Sequence, residues 1–353
     1  MKRLLDIQDY RDDVKRVAEL DLPWWKFRGK TVLITGGTGL IGSFLIDVLH
    51  MVDNGCKVIL IGRSKEKAKK RFEEYWAGTF ITFVQWNFHE RQLPEITEAV
   101  DYVIHLASNT HPIAYATNPI GTIAANVISL DNLLGLATEK KSSRFLYASS
   151  NEIYGNNRGD VDLFDEKYCG YIDCNTLRAG YPESKRCGES LCQAYIKQKE
   201  LDCVIARLTR TFGPTILPTD TKAISQFFNN ALHGEDIILK SAGSQFYSYQ
   251  YVSDSVAGLL TILLKGQSGE AYNVADKSGD ITLRNLAETI ASTAKRKVVF
   301  NLPGPVESEG FSTATKALLD GTKLRSLGWK PTYNITDAVV RNYRILLSRQ
   351  QAF

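Results

Sequence analysis

Apolar and charged residues alternate at helical spacing over residues 1 to about 22, so the chain opens on an amphipathic helical extension expected to pack against the main body. Trp24, Trp25 and Phe27 follow, and from Lys30 the pattern becomes strand, glycine turn, helix: residues 31–36 are apolar, and a helix is expected from about Leu40 to Val52. Further short Val/Ile/Leu-rich runs lie at 57–61, 80–86, 102–106, 144–150 and 202–208, most of them separated by helical stretches. Strands buried on both faces read as continuous apolar runs, and their alternation with helices requires parallel pairing through right-handed crossovers. The expected fold class is α/β, a doubly wound parallel sheet.

Beyond Leu208 the chain changes character. Pro214 and Pro218 mark a loop; helices are expected near 223–233 and 253–264, a short strand at 271–274, a helix from Leu283, a loop at Pro303 and Pro305, and a last helix near 335–347. This divides the chain into a helical extension over 1–29, a sheet domain over 30–207, and mainly a smaller substrate lobe over 208–353, some of whose segments return to the sheet.

Composition narrows the classes. A chain of 353 residues with 44% hydrophobic content can bury a large core, and a net charge of +4 is weak for this length. The basic run 65–71 is interrupted by Glu66 and Ala68 as a solvated helix face would be, so nucleic acid is not an expected partner. The six cysteines show no metal-type spacing and read as reduced thiols of a cytoplasmic protein; no metal is expected. Met1-Lys2-Arg3 is followed by Asp6, Asp9, Asp12 and Asp13, unlike an ordinary signal peptide, and no run reads as long enough to span a membrane.

The glycines Gly36, Gly39 and Gly42 stand three apart directly after a strand and open a helix through Leu40 and Ile41. One makes a tight turn, another lets backbone approach a pyrophosphate, and the last lets helix and strand pack closely, with the helix N-terminus facing the negative charge. This is the dinucleotide turn of a Rossmann fold. Strand two should end in an acid if the ribose of NAD is bound, yet the chain there reads Gly62-Arg63-Ser64-Lys65. Arg63 and Lys65 would suit a 2′-phosphate, so NAD and NADP both stay open.

Tyr181 and Lys185 are one helical turn apart, and Ser150 ends an earlier strand. A tyrosine hydroxyl titrates near about 10, so taking a proton from a substrate alcohol at neutral pH needs a cation close by, and Lys185 can be that cation. A serine hydroxyl at the strand end can hold the oxygen whose proton leaves.

With these elements placed, residues 31–329 resemble the extended short-chain dehydrogenase/reductases, the NAD-dependent epimerase/dehydratase family acting on nucleotide sugars, and within it the UDP-glucuronate decarboxylases. The resemblance is carried by His105-Leu106-Ala107-Ser108, Pro112, Tyr115, Asn118-Pro119, Asn126, the segment Ala148 to Gly155, Arg178-Ala179-Gly180-Tyr181 through Lys185-Arg186, Thr211-Phe212-Gly213-Pro214 and Tyr251-Val252-Ser253-Asp254. It implies that Gly36, Gly39 and Gly42, with Leu40 and Ile41, hold the pyrophosphate. Leu106, Ala107, Ser108 and Leu208 would line the nicotinamide side, and Asn126 would brace the fourth strand. Asn87-Phe88 stands where the family often has an acid contacting adenine, and Ser150, Tyr181 and Lys185 match the catalytic triad. Glu152 matches a carboxylate that decarboxylases and 4,6-dehydratases use near C5 or C6, and it also reads as a loop residue at a strand end. Asn151 occupies the place of an acid in some dehydratases, and an amide cannot protonate a leaving hydroxyl.

The departures from the pattern lie in the lobe. Arg210 replaces a usual asparagine, Thr215 an arginine, and Tyr247 a diphosphate-binding arginine. Arg210, Lys222 or Lys240 would then supply replacement charge, with Arg178 among the expected substrate contacts, and Tyr247 and Tyr249 would stack on a base or sugar face or simply pack. The resemblance further implies a 4-keto sugar intermediate, formed as Tyr181 takes the C4 proton. Decarboxylation would follow, or dehydration or epimerisation of another activated sugar; an idle dinucleotide-binding scaffold is a third reading. It also implies a homodimer through the helix from Pro112 to Glu139 and the helix carrying Tyr181.

Overall fold

The computed structural model describes residues 2–88, 90, 92–109, 115, 117–217, 220–301 and 315–350. Pro112, Pro218, Pro303 and Pro305 lie outside them. The chain runs α1 (Gln8–Ala18), β1 (Thr31–Thr35), α2 (Leu40–Val52), β2 (Lys57–Gly62), α3 (Lys65–Arg71), β3 (Ile81–Gln85), β4 (Tyr102–His105), α4 (Pro119–Glu139), β5 (Arg144–Ser150), α5 (Gly180–Lys199) and β6 (Cys203–Leu208). It continues through β7 (Arg210–Phe212), α6 (Ala223–Leu232), β8 (Ile237–Leu239), β9 (Phe246–Tyr251), α7 (Val252–Lys265), β10 (Ala271–Val274), β11 (Asp280–Thr282), α8 (Leu283–Thr293), β12 (Val298–Phe300), β13 (Lys316–Ala317) and α9 (Ile335–Gln350).

Seven strands form one parallel sheet in the order β10-β6-β5-β4-β1-β2-β3. The order reverses between β1 and β4, and ligands of doubly wound sheets sit outside the strands' carboxyl ends at such a switch point. Side chains alternate across the sheet: Val32 and Ile34 of β1 join one core with Phe44 and Val48 of α2 and Leu260 of α7, whereas Leu33 joins a second core with Leu130 and Leu133 of α4. A second small sheet, β11-β9-β13 with β7 on β9, and the pair β12-β8 belong to the lobe. β10 and α7, though they follow residue 208 in the chain, belong with the large sheet: β10 pairs with β6 and α7 packs on it.

Two sequence expectations are corrected here. α4 has 21 residues, and its most apolar window of 18 has a mean hydropathy of 1.4, so by length and composition it is long and apolar enough to cross a bilayer, against the expectation that no run is. It packs on α5, and 56% of its most apolar window is buried within the protein. The run 65–71 is not solvated throughout, because Arg71 turns inward to Asp47 of α2 at 2.5 Å, where Tyr10 of α1 and Tyr75 also donate to that carboxylate. A guanidinium can accompany a buried carboxylate that would otherwise be too costly to desolvate.

The extension does pack on the main body. Tyr10, Asp13, Val14 and Val17 line one face of α1 and are buried. Asp13 accepts from Tyr251 at 3.0 Å, Tyr333 at 2.6 Å and Arg341 at 2.7 Å, so one acid joins the extension to β9 and to α9.

Candidate active site

The glycine turn joins β1 to α2 beneath the switch point. Gly36 has φ +71°, and a Cβ there would stand 2.8 Å from the backbone nitrogen of Ala107; one on Gly42 would stand 2.4 Å from the carbonyl oxygen of Gly36. Only glycine accommodates both approaches. No side chain caps α2 at Gly39, so its first amides are free to meet an anion. The cradle therefore fits a pyrophosphate. Thr35 closes the other side: its hydroxyl bonds His105 Nδ1 at 2.7 Å and accepts from the Ala107 amide at 3.1 Å, which fixes the loop of Leu106, Ala107 and Ser108. Burial, then the neighbouring Lys185, pushes the His105 imidazole down to about 3, so it is neutral.

Arg63 is exposed just past the end of β2, and Lys65 beside it is exposed as well. Beyond β3, Phe88 packs edge-on to Trp86 with ring centroids 5.0 Å apart and lies 6.5 Å from His105, while Asn87 is half-buried. Ser108 donates to Asn126 at 2.7 Å, Asn126 donates to Ser184 at 2.9 Å, and Ser184 donates to the Tyr181 carbonyl at 2.8 Å. Asn126 thus ties the loop after β4 to the first turn of α5.

Ser150 ends β5 in register with Leu208 at the end of β6. Its hydroxyl accepts from the Glu152 amide at 3.2 Å and starts the short helical turn holding Asn151, which is 8% exposed. Tyr181 lies in the first turn of α5 and is 6% exposed, with the side chains of Ser150 and Ser108 near enough to favour its ionised form. Burial, followed by the charge of Glu152, raises the phenol above its usual range; Ser150, Arg178 and Ser108 oppose this. Lys185 is 2% exposed, donates to the Ala148 carbonyl at 2.9 Å and sits 4.9 Å from the Tyr147 ring centroid. Burial lowers its ammonium to about 7, with Glu189 acting in the opposite direction. The structure brings serine, tyrosine and lysine to one edge of the sheet, an arrangement able to move a proton to or from an alcohol.

Arg178, read as a substrate contact, commits Nη2 to Glu152 at 2.7 Å. Its guanidinium carbon lies 4.9 Å over Tyr115, whose ring stacks on Tyr181 at 4.8 Å. Glu152 is therefore a compensated carboxylate, whereas Arg178 Nη1 is buried without a partner among the described residues. Arg210 lies 3.5 Å over the ring of Tyr247, and its Nη1 is likewise buried and unpartnered among the described residues. One face of Tyr247 is thereby taken, and Tyr249 is 4% exposed, so packing accounts for both tyrosines. Lys222 is paired with Asp220 at 3.0 Å, which removes it as a free replacement cation. Lys240 is exposed. Thr215 donates to the Leu40 carbonyl at 2.6 Å, a structural use of the position. Glu189, Ser149 and Arg207 are bonded together directly behind the triad, and the spacing of four from Lys185 to Glu189 is their only signal in the sequence.

A parallel sheet with a glycine cradle at its switch point and a serine, tyrosine and lysine at the neighbouring strand ends defines a dinucleotide-dependent enzyme of the short-chain dehydrogenase type. Residues 32–275 match the NAD dependent epimerase/dehydratase family, and the chain belongs to it. UDP-glucuronic acid decarboxylase 1 of Danio rerio is 34% identical over 311 residues, 88% of this chain and 71% of that one. UDP-glucuronic acid decarboxylase 6 of Arabidopsis thaliana is 32% identical over 320 residues, 87% of this chain and 86% of that one. In fold the chain is similar to dTDP-glucose 4,6-dehydratase of Bacillus anthracis in complex with NAD, with a TM-score of 0.76, 20% identity, and coverage of 91% and 97% of the two chains.

Proposed function

We propose that this enzyme oxidises the C4 position of a nucleotide sugar, and that its reaction is decarboxylation of UDP-glucuronate or a close analogue. The observation that carries the reading is buried Tyr181 in the first turn of α5, with buried Lys185 one turn along and tied to the end of β5 through the Ala148 carbonyl. Gly36, Gly39, Leu40, Ile41 and Gly42 would hold the pyrophosphate, with Asn87 and Phe88 at the adenine end and Leu106, Ala107, Ser108, Lys185 and Leu208 at the nicotinamide end. Bound there, the dinucleotide supplies a two-electron acceptor that can give the electrons back. Tyr181 takes the C4 hydroxyl proton while Ser150 holds that oxygen and Lys185 favours the phenolate. A ketone at C4 places a C5 carboxylate β to a carbonyl, from which carbon dioxide can leave. Similarity to the two decarboxylases supports this choice.

A second reading, dehydration or epimerisation of another activated sugar, draws on Thr215 and Tyr247, which offer no guanidinium where the decarboxylase pattern has one. The separating experiment supplies purified protein with UDP-glucuronate and either dinucleotide and measures carbon dioxide. Release is expected; conversion of a neutral sugar nucleotide without turnover of the acidic one overturns the first reading. The same preparation, titrated by fluorescence with NADH and NADPH, reads whether exposed Arg63 selects a 2′-phosphate; a tenfold preference for NADH ends that possibility.

Two copies would meet along α4 and α5. Ile120 is 83% exposed, Ile123 44% and Leu177, just before α5, 68%. Large apolar side chains clustered at the surface mark contact faces. Light scattering is expected to give twice the 39.5 kDa chain mass, and a monomer refutes the pairing.

A further inference from the structure

Glu189 lies one turn past Lys185 and two turns past Tyr181 on α5. Its carboxylate is fixed by both neighbouring strands: Ser149 of β5 donates to Oε1 at 2.5 Å, and Arg207 of β6 donates through Nε to Oε1 at 3.0 Å and through Nη2 to Oε2 at 2.7 Å. Ser149 and Arg207 are partners in the sheet register, immediately before the pair Ser150 and Leu208. The carboxylate therefore stands one residue behind the reacting edge, anchored to the same two strands that present it.

The groups facing Lys185 can be named element by element. Its own helix contributes Glu189 and Cys192; β5 contributes Tyr147 and the Ala148 carbonyl; β4 contributes His105; β6 reaches the group indirectly, through Arg207 on Glu189 and Cys203 beside Cys192. Burial keeps His105 uncharged and pushes the Tyr147 hydroxyl up, while its bond with Cys203, and then burial, push the Cys192 thiol up. Glu189 is consequently the one anion beside the ammonium among the described residues.

We propose that Glu189 is a positioning residue, locked by Ser149 and Arg207, that keeps Lys185 in its ammonium form and so sets the upper pH limit of the site. The proposal rests on the reading that Lys185 serves Tyr181 and the bound dinucleotide. Arg207 shares the carboxylate's charge, and a cavity of about 530 Å³, lined by Glu189, Arg207, Glu166 and Glu270, opens on the pair from the far side. Both features weaken the field at Lys185, so the effect of Glu189 should be a shift of about one pH unit rather than several.

Glu189→Gln keeps the shape and removes the charge. NADH affinity is read by fluorescence across pH 5.5 to 9.5, with Lys185→Met as the baseline from which the lysine titration is absent. The expected result is that the pH at which affinity falls moves down by about one unit in Glu189→Gln, and that Glu189→Asp restores it. Turnover at pH 7.5 should drop roughly tenfold with the KM for the sugar nucleotide little changed. A Glu189→Gln protein that melts at lower temperature yet keeps the wild-type pH dependence would show a merely structural ion pair and overturn the proposal. If Glu189→Gln does not fold, Ser149→Ala removes one of the three bonds that fix the carboxylate, without changing charge: a smaller downward shift is expected, and an unmoved titration is equally fatal. Absence of turnover by the wild-type protein would defeat the proposed reaction alone, because the NADH titration still decides the role of Glu189.

Discussion

Lys185 holds a proton in surroundings that oppose the charge, and the cost has a direction that can be measured. Its folded value, about 7, lies below the ordinary lysine range. Between that value and the value of the unfolded chain, the unfolded state binds more protons, so this group makes stability rise with pH across that window and costs most below about 7. Lys185→Met removes the titration. Its melting temperature should exceed that of the wild-type protein most clearly at pH 6, with the gap closing towards pH 10; a constant gap would contradict the assigned burial. The triad itself was legible because two of its members share a helix face and the third ends an apolar run. Glu189 was not, since a glutamate in a helix ordinarily reads as solvent-facing until the strands beside it are known. The stacking of Arg210 on Tyr247 was hidden for the same reason: β7 and β9 meet only in the folded lobe.

The seven strands of the large sheet were read from their apolar runs to within a residue or two, because strands buried on both faces leave little room for polar positions, whereas the strands β7, β8, β9, β11, β12 and β13 of the lobe went unread. α4 shows the limit of such reading, since a core helix wedged between sheet and α5 has the composition of a bilayer helix and only its neighbours tell them apart. The turn from β1 to α2 is the element with the least tolerance. In Gly42→Ala the added methyl would meet the Gly36 carbonyl oxygen at 2.4 Å and the Gly37 Cα at 2.6 Å, both backbone atoms that cannot rotate away. Displacing the turn should cost roughly 1–3 kcal/mol in stability and weaken NADH binding at least tenfold. Thermal melting and fluorescence titration check the two effects separately; unchanged affinity would mean the cradle is not where the dinucleotide binds.

Across the whole molecule, Asp13 connects parts that sequence patterning separated. The amphipathic pattern announced α1 and its packing role, but a buried aspartate in a polar-looking run gave no sign that Tyr251, Tyr333 and Arg341 converge on it from more than two hundred residues away. Asp13→Ala removes the shared acceptor of Tyr251, Tyr333 and Arg341, leaving Arg341 only its contacts with Asp9, and should destabilise the fold by about 1–3 kcal/mol, measured by urea unfolding. A loss below about 1 kcal/mol would show that the Asp13 junction is dispensable for stability.

The outermost strand of the large sheet is drawn from residues 271–274, after the chain has already left to build β7, β8 and β9. During synthesis β6 is made some sixty residues ahead of its outer neighbour, and until residue 274 clears the ribosome its hydrogen-bonding edge stays bare. An unprotected edge of this kind is a template for pairing with other chains. The nascent protein is therefore most vulnerable to aggregation midway through the lobe, and truncated messages ending between residues 208 and 270 should yield products that need a chaperone to stay in solution.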